Sequence, residues 1–193
     1  MEDKSTEIKR KLEQQLSAKR YKHTLGVSDI AVQLAQRFGC DVHKARLAGL
    51  LHDCAREMSV EDLLSKAREF GIVLDDVEKY EPVLLHAPIA GYLAKVCYGI
   101  EDEEIIQAVS LHTTGSAKMT QLDKIIYLAD MIEPGRSFPG VEELRLLAEK
   151  DLDKALLASL EQSILHVLKG KGLIHPGTIE ARNQLIMKKT KKQ

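Results

Sequence analysis

Six residues, His23, His52, Asp53, His86, His112 and Asp130, each stand at the end of an apolar run with helical spacing. Such a run buries one face of a helix, so the chain has to pack several inner faces together and carry imidazoles and carboxylates into one interior. Buried carboxylates such as Asp53, after LAGLLH, and Asp130, after KIIYLA, need pairing or metal coordination to offset desolvation. Adjacent residues on a helix point about 100° apart. The doublet His52-Asp53 can therefore face one ion only near a helix end or where neighbours converge. One histidine on an apolar face is an ordinary structural residue, but six such groups in the series H…HD…H…H…D form a candidate two-metal hydrolytic site. His43, His166 and His175 lack comparable contexts and stay outside the metal shell.

The composition supports helices. The 193 residues fit a single domain, aromatics make up only 4%, there is no Trp, and Leu, Ala, Ile, Glu and Lys dominate, so an all-α fold is expected. Lys+Arg at 28 against Asp+Glu at 29 leaves no basic field for duplex nucleic acid, which is not an expected partner. No stretch approaches the roughly 20 apolar residues of a membrane span, and the first residues are polar rather than signal-like, so a soluble, cytoplasmic protein with no membrane partner is expected. Cys40, Cys54 and Cys97 form no CxxC pair and read as small buried residues of a reducing compartment.

Along the chain, residues 4–17 carry Ile8, Leu12 and Leu16 as an amphipathic helix. A second helix, from about residue 19 to the stop at Gly39, aligns His23 with Val27, Ile30, Ala31 and Leu34. A third is expected over 42–58, with His52 and Asp53 close to its end. Ser59 caps a fourth that Gly71 closes, residues 72–82 read as a connection broken by Pro82, and 83–99 form a helix with Pro88 near its start. Residues 101–115 bring Ile105, Val109 and His112 to one face. The next helix has Thr120 as its capping residue, aligns Leu122, Ile126 and Asp130, and ends at Pro134-Gly135. Residues 141–172 supply one or two long helices that could support a homodimer, 174–185 an irregular arm, and 188–193 a solvated basic tail. The expected core is about 18–135, with the C-terminal helices and arm over 141–187.

His23, His52, Asp53 and Asp130 are assigned to one ion, and His86, His112 and a bridging Asp53 to the other. With one shared hydroxide the charges sum to about +1, which attracts polyphosphate. Imidazole-rich coordination favours iron, manganese, zinc or nickel over magnesium, and iron is the first expectation. The expected chemistry is attack on phosphorus by a metal-bridging hydroxide, with Asp53, His86 and His112 as catalytic residues. No GxSxG, P-loop or HExxH motif points to another route.

The phrases RYKHTLGV, AGLLHDCARE, LLHAPIAG, HTTG and LDKIIYLADMIEPGRSFPGV, in this order, resemble the HD-domain metal phosphohydrolase superfamily, specifically its YqeK-like branch of symmetrical bis(5'-nucleosyl)-tetraphosphatases. The resemblance covers nearly the whole chain. It implies an HD-domain helical bundle, hydrolysis of diadenosine tetraphosphate to two ADP, a di-iron centre, and a nucleoside diphosphate held as product. The implied metal ligands are the six residues already singled out. Arg20, Arg56 and Arg136 then become candidates for the substrate phosphates, His23 and Asp130 count among the substrate-binding residues as well as the ligands, and Leu173, Ile174, His175 and Thr178 are candidates for an arm folded over the nucleotide. Arg56 stands where the pattern has Lys, replacing a point charge by a planar fork. Two alternatives stay open: another phosphohydrolase of the superfamily, such as a nucleotidase or cyclic-nucleotide phosphodiesterase, and a nucleotide-binding regulator without turnover.

Overall fold

The computed structural model describes residues 3–190, with side chains to 188, and among these residues contains helices and turns but no strand, as the composition led one to expect. The chain runs α1 (Lys4–Gln15), α2 (Ala18–Phe38), α3 (Val42–Leu51), α4 (Val60–Glu69), α5 (Asp76–Tyr80), a 3-10 turn (Pro82–Leu85), α6 (His86–Val96), α7 (Glu103–Leu111), α8 (Gln121–Ile132), α9 (Val141–Ala148), α10 (Leu152–Lys169) and α11 (Pro176–Thr190). Most of the basic tail expected over 188–193 lies outside the described side chains. No helix of the described residues is long and apolar enough to cross a membrane.

The caps are local and legible. Ser17, Asp41 and Ser59 accept from the backbone N–H three residues on, and Gly39 ends α2 in the left-handed region at φ 70°. Thr120 and Asp123 form a reciprocal capping box at the start of α8. Pro88 lies in the first turn of α6, where its missing N–H costs nothing.

The core forms where α2 packs on α3 and α8, and α7 on α3, α6 and α8. Val27, Leu50, Leu51, Ile89, Ile125, Ile126 and Leu128 are fully buried there, each contributing about 1.5–3 kcal/mol of transfer free energy. Ile8 and Leu12 bury the inner face of α1 against α3. Glycines set two of these contacts: a Cβ at Gly49 would lie 2.7 Å from Ser28 Cα, and one at Gly91 would strike the Ser110 hydroxyl. Only glycine lets α3 approach α2, and α6 approach α7, this closely.

Three expectations change. The helix expected over 42–58 ends at Leu51, because Cys54, Arg56 and Met58 donate three residues back, to Leu51, Asp53 and Ala55, and these tight turns replace the helical ladder. The connection over 72–82 contains α5, nucleated by a capping box between Asp75 and Glu78. The arm expected to be irregular over 174–185 is mostly helical: Pro176 starts α11, and Thr178, Ala181 and Leu185 form its buried stripe.

Candidate metal centre

Each imidazole of the series is oriented by a hydrogen bond on its outer nitrogen. His52 caps α3 and donates from Nδ1 to Gly49 O (2.8 Å). His86 opens α6 and donates to Val83 O (2.5 Å), and His112 caps α7 and donates to Val109 O (2.7 Å). His23, inside α2, pairs through Nδ1 with Glu133 Oε1 at 3.0 Å. Carbonyl and carboxylate oxygens accept only, so these partners assign the proton to Nδ1 and leave Nε2 as a lone pair.

The lone pairs face one another. His23 and His52 approach to 3.3 Å between Nε2 atoms, and His86 and His112 to 3.2 Å. Asp53 stands between the two pairs with one oxygen for each. Its Oδ2 lies 3.4 Å from His52 Nε2 and 3.6 Å from His23 Nε2, and its Oδ1 3.4 Å from His86 Nε2 and 3.6 Å from His112 Nε2. Asp130 closes the first half, with Oδ1 3.0 Å from His23 Nε2 and 3.9 Å from His52 Nε2. Two atoms bound at about 2.1 Å to one ion, at octahedral or tetrahedral angles, lie about 3.0–3.4 Å apart. The spacing thus suits shared cations, and so does the chemistry: facing lone pairs around buried carboxylates repel unless a positive charge sits among them. His23, His52 and Asp130 form one candidate ligand group, and His52, Asp53 and His112 another.

The electrostatics agree. Burial pushes the Asp53 carboxyl up, but positive charge placed at the His52 and His112 ring nitrogens outweighs it and holds Asp53 far below the carboxylate range, the charge that a cation among the Nε2 lone pairs would supply. Asp130 is also held low, against burial, by His23 and the Arg136 guanidinium. His86 is pushed down to about 3, chiefly by burial and against the opposing pull of the Asp53 carboxylate, so its ring stays neutral.

Two cations stand at the rim. Arg20 donates from Nη1 to Asp53 Oδ2 at 2.7 Å, and Arg136 binds Asp130 through its carbonyl (2.7 Å from Nε) and its Oδ1. Arg20 and Arg136 retain 27% and 36% side-chain exposure, enough to meet an incoming anion. The remaining sequence candidates are not part of this hydrogen-bonded cluster. Arg56 is half-buried in the turn after Asp53. His175 pairs with Asp75 at 3.0 Å, Thr178 donates to Thr114 O at 2.8 Å, Ile174 is half-buried and Leu173 is exposed.

Sequence reasoning missed two members of the cluster. Thr113 Oγ1 lies 3.1 and 3.2 Å from the Nε2 atoms of His112 and His86. Glu133, only 5% exposed, supports the outer nitrogen of His23. Their signals were the Thr directly after His112 and a glutamate in the EPGR turn directly after the helix that carries Asp130.

Residues 20–135 match the family model described as HD domain. The chain is 42% identical over 172 residues to a protein of Halalkalibacterium halodurans named bis(5'-nucleosyl)-tetraphosphatase, symmetrical, covering 89% of this chain and 91% of the relative. A protein of the same name from Bacillus subtilis is 39% identical, with 91% and 94% covered. The crystal structure of a predicted HD superfamily hydrolase involved in NAD metabolism, from Clostridium acetobutylicum, superposes with a TM-score of 0.92 at 46% identity, over 95% of this chain and 97% of that one. All six residues, from His23 to Asp130, fall within the matched span, and the chain belongs to the HD domain family.

Proposed function

We propose that this chain is a metal-dependent phosphohydrolase that cleaves dinucleoside tetraphosphates symmetrically, the activity that its relatives' names state for them, and that it takes diadenosine tetraphosphate and water to two ADP. One observation carries the reading: Asp53 turns one oxygen to each of two imidazole pairs. His23, His52, Asp130 and Asp53 Oδ2 would hold one divalent ion, and His86, His112 and Asp53 Oδ1 a second, with iron first and manganese, zinc or nickel also suited. When bound, such ions polarise a phosphoryl oxygen and lower the pKa of water. The chain's own groups do the rest. Asp53 and the imidazoles keep their lone pairs directed inward, and Arg20 and Arg136 bind phosphate oxygens at the rim, with Arg56 beside them. Leu173, Ile174, His175 and Thr178 contact the nucleoside. A nucleoside diphosphate leaves already ionised, so this reading needs no protonating acid.

Cys40 and Cys54 are half-buried and Cys97 is exposed, so the expectation of three buried cysteines fails at Cys97; all three are free thiols, and the cytoplasm is the compartment we propose. Exposed Leu146, Leu165 and Leu168 on α9 and α10 would serve a homodimer, checked by mass in solution. The link of the Clostridium protein to NAD metabolism favours a second reading, another nucleotide as substrate. Product analysis separates the two. ADP alone from diadenosine tetraphosphate supports the symmetrical hydrolase, whereas AMP with ATP, or no turnover beside a rapidly cleaved mononucleotide, removes it. Elemental analysis tests the pair of ions: two per wild-type chain should fall to one in His86→Ala or His112→Ala with loss of most activity, and full activity at one ion per chain refutes the second.

A further inference from the structure

The loop that leaves α8 touches the centre at both of its ends, through Glu133 on the His23 ring and Arg136 on Asp130. Its backbone is gripped from outside by Arg145 of α9. Nε donates to Ile132 O at 2.9 Å, and Nη2 to Glu133 O at 2.8 Å and Arg136 O at 3.0 Å, while Nη1 meets Glu142. A guanidinium presents its donors in one rigid plane, so three carbonyls bound to that plane are fixed relative to each other. Ile132, Pro134 and Arg145, together with Arg37 of α2, line a solvent-open cavity of about 380 Å³ beside the loop. On the inner side Glu133 is seated closely: its Oε2 accepts from Gly135 N at 2.6 Å, and a Cβ at Gly26 would lie 2.9 Å from the same oxygen.

We propose that Arg145 is a positioning residue for the metal centre: its guanidinium holds the loop 132–136 in place beside that cavity so that Glu133 orients His23 and Arg136 stays on Asp130. Arg145 touches neither a ligand of the centre nor the bound substrate in this scheme, and acts through the two ends of one turn. Partners on the outer nitrogen of a metal-binding imidazole are worth about 10–100-fold in metal affinity, so a tether one step further out is expected near the lower end of that range.

The inference rests on reading the His/Asp cluster as a metal centre, and its test does not depend on turnover alone. Full-length Arg145→Gln and Arg145→Lys are compared with wild type for Mn²⁺ affinity, by competition with a chromogenic chelator, and for kcat and KM with diadenosine tetraphosphate. Arg145→Gln should weaken the tighter Mn²⁺ step about 10-fold and raise KM more than it lowers kcat, because Arg136 loses its place at the phosphates. Arg145→Lys should recover part of both, an ammonium being able to donate to one or two of the carbonyls but not in a fixed fork. Combined with Glu133→Gln, the losses in affinity should fall short of additivity. Wild-type Mn²⁺ affinity and KM in Arg145→Gln, whatever its melting temperature, overturn the proposal, as does an additive cycle. Should Arg145→Gln fail to fold, Arg145→Lys decides on the same two readouts. A wild type that binds Mn²⁺ without cleaving the dinucleotide defeats the proposed substrate and leaves the affinity test standing, whereas a wild type that binds no Mn²⁺ defeats both.

Discussion

Asp53 is the residue on which the two halves of the centre depend, because each of its oxygens faces a different imidazole pair. Asp53→Ala should therefore lose both ions rather than one, bringing metal content close to zero and activity down about 100-fold or more, as expected when several kcal/mol of charge stabilisation disappear; retained metal would show that the bridge is misassigned. His86 makes the opposite kind of prediction, in protein stripped of metal by chelator. Its folded pKa is pushed down to about 3 against an ordinary value of 6.5, chiefly by burial, so between those values the unfolded chain binds a proton that the folded one does not. Stability from this group is complete above about pH 6.5 and is lost as pH falls toward 3, with a slope of up to about 1.4 kcal/mol per pH unit. Urea titrations of apo wild type and His86→Gln should show the mutant's slope flattened in that window; parallel slopes would count against a neutral, desolvated His86. Gly26→Ala is a third test at this scale, since the new methyl displaces the Glu133 carboxylate without removing a ligand. It should weaken metal binding by a factor similar to Arg145→Gln while His86 and His112 remain in place.

Helix ends, more than helix middles, build this site: His52 and His112 are C-terminal caps and His86 opens α6. The capping box of α8 lies at the end remote from Asp130, which separates stability from chemistry within one element. Thr120→Ala removes the acceptor for Asp123 N (3.2 Å) and should cost about 1 kcal/mol in thermal or urea unfolding, with metal affinity unchanged. A matching loss of affinity would mean that the start of α8 also sets the position of Asp130. This local chemistry explains what could be read from the sequence. Apolar spacing and caps such as Ser59 and Thr120 depend on neighbours within a few residues, and the ligand candidates stood at the ends of those same stripes. The end of α3 was not legible, because nothing in LLHDCARE interrupts the apolar spacing and only the turns after Leu51 show the ladder giving way. α11 escaped because its buried face consists of Thr178, Ala181 and Leu185, two of them small or polar. The role of Glu133 was not legible either: its place in the EPGR turn was a local signal, but its partner His23 lies 110 residues away.

At the scale of the molecule, the buried apolar residues divide into two clusters. The larger extends from α1 through α10, and the smaller joins Tyr127 of α8 and Leu156 and Leu160 of α10 to Ala181 and Leu185 of α11. The candidate ligands all belong to elements of the larger one, so metal binding should stabilise that cluster and leave the attachment of α11 almost untouched. A ligand present at 100 times its dissociation constant adds about 2.7 kcal/mol to the state that binds it. Elements that open only with the whole core inherit that increment, whereas a helix that opens locally does not. Native-state hydrogen exchange with and without chelator makes the distinction: protection in α2, α3 and α8 should fall about 100-fold on metal removal, while amides of α11 keep one rate in both conditions. Parallel loss of protection in α11 would show that the terminal helix is bound into the same cooperative unit as the core over 18–135, and that whatever the arm contributes at the nucleotide is coupled to the metals rather than added beside them.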